Sequence, residues 1–200
     1  MTTTKWHETR DTFRHGNLAQ ALVDAALARL QTDDAEELSL RELARDAGVN
    51  HRAVYRHFPD KLALLARVAE EGWRRLAHQM EQQIAGKKPG ADTLVAAGVA
   101  FFKFGRSHPN LFHLMGGPRI NPDGQFADLD KAVVHALRIF MQGFLDAGTD
   151  ETVARVRTLV FAAALQGVVL QILYRRFRLS PRKAESEVAD ICRMLIKGLS

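Results

Sequence analysis

The chain has 200 residues, of which 46% are hydrophobic and 26% charged. That composition excludes intrinsic disorder and leaves room for one large domain, or one small and one medium domain. The net charge of +5 does not by itself point to nucleic acid: residues 1–75 hold 12 Lys/Arg and 12 Asp/Glu, so the remaining 16 and 11 carry the whole excess. A single cysteine, Cys192, rules out an internal disulfide framework and fits a reducing, cytoplasmic setting, where it reads as a small buried apolar residue.

The N-terminal "MTTTKWHETRDTFRHG" has no apolar core and is not a secretory signal. Its Lys5, Arg10 and Arg14 fit a polar tail, or an arm that reaches into a minor groove. Leu18, Leu22, Ala26 and Leu30 recur every four residues and give a first helix one apolar stripe. After the polar "TDDAEE", Ser39 and Glu42 have the spacing of a capping box for a short helix that Gly48 ends. Asn50 is a natural N-cap for the next short helix, which runs to about Phe58, and Asp60 for a long amphipathic helix reaching Ile84. "GKKPGAD" is the clearest linker.

Beyond it, helical patterns cover roughly 92–107, 109–115, 125–147, 150–176 and 182–199, with "MGGPRINPDG" as the longest loop and a segment able to move. The charge-free run from Thr158 to Tyr174 is slightly short for a membrane span and reads as a helix buried in protein. No stretch alternates with period two, so the chain is predicted to be all-α.

The chemistry concentrates in "GVNHRAVYRHFPDK", Gly48 to Lys61. Two short helices joined by "AGVN" make a helix-turn-helix. At 100° per residue, Val54 and Phe58 point together into the core, while Arg52 and Arg56 point away from it. Tyr55 and His51 flank that outward face on one side, Ala53 and His57 on the other. Outward arginines one turn apart suit guanine O6 and N7 in a major groove, and the surrounding Tyr, His and Lys suit phosphate oxygens. A merely solvated basic face has the same composition.

"LSLRELARDAGVNHRAVYRHFPDKLALL" resembles the DNA-binding signature of the tetracycline-repressor (TetR) family of transcriptional regulators, closely over 39–65 and in layout over 16–75. The resemblance implies a three-helix DNA-binding unit, a connecting helix and a variable ligand-binding bundle, used as a homodimer. It puts Tyr55, His57 and Lys61 at phosphate-contacting positions and Val54 and Phe58 in the core, while Arg52 falls where many members have a small residue. The DNA-contacting set expected is Ser39, Arg41, Asn50, His51, Arg52, Ala53, Tyr55, Arg56, His57 and Lys61.

Nine of the eleven phenylalanines follow residue 100. Phe101, Phe104, Phe112, Phe140, Phe144 and Phe161, with Met115 and the polar His113 and Gln166, could line a pocket for an apolar or mostly apolar ligand, or simply pack a core. "FFKFGRSHPNLFHLM" and the later Gly167 resemble a group of repressor C-terminal domains marked by Trp-His-Gly, with Ala162 and Gln166 standing where that tryptophan and histidine would be. Ala163 and Gly167 offer a smooth strip, and Val188, Ile191, Cys192, Leu195 and Leu199 a stripe on the final helix, for a dimer built from the last two helices or for packing within one chain. The basic "YRRFRLSPRK" reads as a helix end where cations suit the dipole, rather than as a second DNA site.

No phosphate-cradling glycine loop, HExxH or CxxC occurs, and His108 and His113 are five apart, off the metal-binding i, i+4 spacing. No enzyme activity, cofactor or metal is expected, and no membrane. The rival reading is a dimeric helical adaptor whose basic helix binds an acidic protein. The prediction is therefore a DNA-binding regulator, repressor in sense, with an arm and three-helix DNA-binding domain over 1–60 and a connecting helix and ligand-binding, dimerising bundle over 61–200. It would bind a palindromic operator.

Overall fold

The computed structural model describes residues 8–117, 120, 121, 123–180 and 182–199, with side chains from Leu18 onward. Among these residues nine helices follow one another and no strand occurs: α1 (Glu8–Arg29), α2 (Leu40–Asp46), α3 (His51–His57), α4 (Lys61–Ile84), α5 (Ala91–Ser107), α6 (Pro109–Met115), α7 (Ala127–Asp146), α8 (Glu151–Leu173) and α9 (Ala184–Gly198). The all-α expectation is met. α1 opens earlier than its apolar stripe, at Glu8, so Arg10 and Arg14 lie on a helix rather than in a tail; Lys5 falls outside the described residues.

α1 to α3 form a small unit around Leu22, Ala26, Leu30, Leu43 and Val54, all buried. Arg29 fastens α1 to α2, donating to Asp46 at 2.8 Å while also pairing with Asp33 at 3.2 Å. This unit rests on α4 through α1. α4 spans about 36 Å at 1.5 Å per residue, and its buried Leu65, Ala69, Leu76 and Met80 carry it along α5 and α7. α5 is the centre of the bundle, touching α4, α6, α7, α8 and α9.

Two close approaches fix that arrangement. A methyl at Gly98 of α5 would lie 2.5 Å from Cys192 Sγ of α9, and one at Gly72 of α4 would lie 2.6 Å from Met115 Sδ of α6. At Gly98 only a residue without a side chain lets the helices meet so closely, whereas at Gly72 a methyl would require the flexible Met115 side chain to move aside. Cys192 is fully buried there, and burial pushes its thiol up to about 12, so the thiolate is absent at neutral pH.

Four details correct or narrow the expectations. Ser39 caps α2 by backbone conformation only, without a side-chain hydrogen bond, so the capping box does not form; the first turn lies at the surface, where water can serve its N–H groups. Of the two uses open to the final stripe, Val188 and Cys192 take the one within the chain, turning inward onto the bundle. α8 is apolar and long enough to cross a membrane by length and composition, yet it is not buried all round: only 22% of its most apolar window is buried. The long loop is fastened by Asn121, which donates to Asp130 Oδ1 at 2.7 Å and accepts from Phe126 N–H at 3.0 Å.

Candidate nucleic-acid interface

The turn before α3 is built by local chemistry. Gly48 sits at φ +66°, where a side chain would be strained, and it lets Val49 N–H return to Ala44 O at 2.9 Å. Asn50 then accepts from Arg52 N–H at 2.8 Å and starts α3. Asp60 does the same for α4, accepting from Ala63 N–H at 2.8 Å.

Val54 and Phe58 are buried and hold α3 against the unit. His51, Arg52, Tyr55, Arg56 and His57 are all exposed, and Ala53 is half-buried. The structure therefore brings the predicted α3 residues onto one outward face. His51 and Tyr55 meet edge to face with ring centroids 5.3 Å apart, so the Tyr55 ring, 49% exposed, is held at the rim of that face. Among the described residues no carboxylate pairs with Arg41, Arg52 or Arg56. Unneutralised guanidinium groups on a convex helix are suited to an external anion.

Lys61 is placed differently from its neighbours. Its Nζ donates to the backbone carbonyl of Glu36 at 2.5 Å, so it borders the α1–α2 loop instead of standing free. Ser39 and Arg41 lie at the start of α2, the first half-buried and the second exposed.

In the bundle, the predicted ligand residues come together, though as a packed layer. Phe101 meets Phe112 at 5.2 Å and Phe140 at 6.2 Å; Phe161 meets Phe140 at 5.1 Å and Phe144 at 5.9 Å. Phe104 and Met115 are buried with them. Two surface crevices lie elsewhere. One of about 370 Å³ lies where α7 turns into α8, beside Phe144, Thr149, Asp150, Arg157 and Ile196. One of about 280 Å³ lies between α4, α5 and α7, beside Glu81, Thr93, His135 and Gln142. Of the nine residues expected around a ligand, only Phe144 borders either of these. His113 packs on Tyr174, ring centroids 5.0 Å apart with a 3.4 Å contact from its Nδ1 to the tyrosine oxygen, and Gln166 lies against Gly116.

Sequence reasoning missed Glu70, a carboxylate only 5% exposed on α4, between Arg74 at 2.5 Å and Arg67 at 3.4 Å. The i, i+3 and i, i+4 spacing in "RVAEEGWRR" was the available signal; nothing in it told which acid turns inward.

Comparison with known proteins decides the family. Residues 22–68 match the family described as bacterial regulatory proteins, tetR family, and residues 94–195 match the tetracyclin repressor-like C-terminal domain. The chain belongs to the TetR family. Its fold also recurs in solved structures. A protein of unknown function from Rhodococcus sp. RHA1 has a TM-score of 0.77 at 26% identity, covering 98% of each chain. A tetR-family transcriptional regulator from Streptomyces coelicolor has a TM-score of 0.66 at 19% identity, covering 92% of this chain and 88% of that one. The regulator FadR from Bacillus subtilis, solved in complex with stearoyl-CoA, has a TM-score of 0.67 at 15% identity, covering 90% and 96%. The first of the two matches runs from within α1 into α4, and the second from within α5 into α9.

Proposed function

We propose that this TetR-family regulator is a repressor that binds a palindromic operator as a homodimer and releases it when a small, mostly apolar molecule enters the bundle. The observation that carries the DNA reading is the outward face of α3, where Arg52 and Arg56 are exposed, have no carboxylate partner among the described residues and are backed by buried Val54 and Phe58. Arg56 is the base-reading candidate. Tyr55, His51, His57 and the start of α2 at Ser39 and Arg41 would take phosphate oxygens. Lys61 would join them by leaving the Glu36 carbonyl.

The dimer reading is supported by α8. Val156, Leu159 and Val160 are 58%, 54% and 46% exposed, and Gly167, one turn after the exposed Ala163, would present open space even to an added methyl. Together they make a continuous apolar face on which no described residue of this chain lies. A second copy meeting that face would set two α3 helices about one DNA turn, about 34–36 Å, apart. The stearoyl-CoA bound by FadR supports an apolar ligand class for the bundle. Such a ligand would have to part the phenylalanine layer, and its preference for the parted state would draw the population away from the DNA-binding one.

The deciding experiment is binding to the DNA flanking the protein's own gene, against scrambled duplex, across a salt series. Preference for the native duplex, steep salt dependence and two chains per palindrome are expected. Equal binding to both duplexes would defeat the operator reading and favour an adaptor whose basic helix meets an acidic protein.

A further inference from the structure

We infer that the turn joining α8 to α9 is a second phosphate-binding surface, which meets the backbone of the duplex that α3 reads. The inference rests on the operator-binding reading above. Between Leu173 and Ala184 the chain carries Arg175, Arg176, Arg178, Arg182 and Lys183, all exposed, and no acidic residue. Among the described residues none of the five is paired with a carboxylate. Nearby Glu185 is already taken by Lys103 and Arg106, each at 3.4 Å.

None of these cations is needed as a hydrogen-bonding cap for α8. The last carbonyls of α8 are satisfied by backbone donors: Arg175 N–H reaches Ile172 O at 2.9 Å, and Arg176 and Phe177 N–H reach Gln171 O at 2.9 and 3.0 Å. Arg175 takes a left-handed φ of 57° to make that turn. No guanidinium of the cluster is used in it. Instead the turn displays them from a fixed backbone: Arg176 lies over the Tyr174 ring at 5.4 Å, and that ring is braced by His113 of α6.

Position selects the partner. α6 lies beside the loop that joins α1 to α2, since Asn110 donates to Asp33 O at 3.0 Å and His108, just before α6, lies 3.4 Å from Gln31. Tyr174 packs on the same short helix, one turn further along. The other end of the cluster enters α9, whose Glu185 is tied to the last turns of α5. Both ends of the turn are thus anchored at the end of the bundle that faces the DNA-binding unit. Once α3 holds an operator, the nearest extended polyanion is that duplex, and arginine forks match phosphate oxygens. An anionic membrane would suit the same charges, but the place of the turn beside the DNA-binding unit favours the duplex.

The test compares the operator affinity of the wild type, the triple variant R175Q/R176Q/R178Q and the remote control K87Q/K88Q over a potassium chloride series. Lys87 and Lys88 lie beyond the far end of α4 and are exposed. The triple variant should flatten the slope of log K against log salt by about 0.9 for each phosphate that the turn no longer neutralises. It should also weaken native and scrambled duplex by the same several-fold factor, so that base preference is kept; the control should match the wild type. Arg178→Gln alone, outside the Tyr174 contact, gives a smaller flattening and guards against a folding defect in the triple variant. A wild-type slope in both turn variants would overturn the inference, all the more if phosphatidylglycerol vesicles bind the wild type and not the triple variant. A wild type with no duplex preference would instead bring down the operator reading, and this inference with it.

Discussion

Arg56 stands free on α3 while Lys61 leans on a carbonyl, and the difference predicts how each would behave. Arg56→Ala should cost about 1–3 kcal/mol on the native operator if its contact is bidentate to guanine. It should also relax preference at one base position of each half-site, read out by competition among single-base variants. Unchanged discrimination would remove Arg56 from base reading. That the α3 face is exposed was legible in the sequence, because a 100° wheel and two buried partners fix a seven-residue helix. That Lys61 turns back was not, since its acceptor is a backbone carbonyl 25 positions earlier in the chain. The inward turn of Glu70 escaped notice for a related reason: spacing identifies ion pairs along a helix but not which face of the helix is covered.

At the scale of elements, the starts of helices were the most readable feature, because a cap is a contact over two or three residues. Asn50 and Asp60 cap as expected, and Ser39 does not use its side chain. Asn50→Ala and Asp60→Ala should each lower stability by about 1 kcal/mol, while Ser39→Ala should leave the thermal midpoint unchanged. A large loss from Ser39→Ala would mean its hydroxyl has a partner that the free protein conceals. The extent of α1 was less readable than its stripe. Polar residues from Glu8 onward can continue a helix without adding to the apolar pattern by which it was recognised.

At the scale of the molecule, α8 presents the opposite problem, since it is apolar on nearly every side. Apolar periodicity locates a buried stripe by contrast with polar neighbours, and α8 supplies no contrast between the face covered by its own bundle and the face left open. α9 has that contrast, yet its stripe fits a partner or its own chain equally well, and only Gly98, which makes room for Cys192, reveals the second use. The open face of α8 yields a direct prediction. Leu159→Glu should convert a dimer to a monomer by light scattering at micromolar concentration and reduce operator affinity at least tenfold, with the helical content retained. A wild type that is already monomeric at that concentration would refute the α8 interface. Burying three half-exposed aliphatic side chains per copy contributes about 1 kcal/mol each, enough to make the loss visible.

The seating of Met115 against Gly72 bears on how this regulator could be re-engineered. Synthetic biologists exchange DNA-reading modules between regulators, and the success of a hybrid depends on where the chain is cut. Here α4 packs closely on α6 at Gly72 and lies along α5 and α7, so it is mechanically part of the bundle. A cut after Asp60 leaves that assembly whole and exposes foreign seams where α1 meets α4 and where the α1–α2 loop meets Lys61, His108 and Asn110. A cut after Ile84 would instead part Gly72 from Met115 and strip α5 and α7 of the helix they pack on.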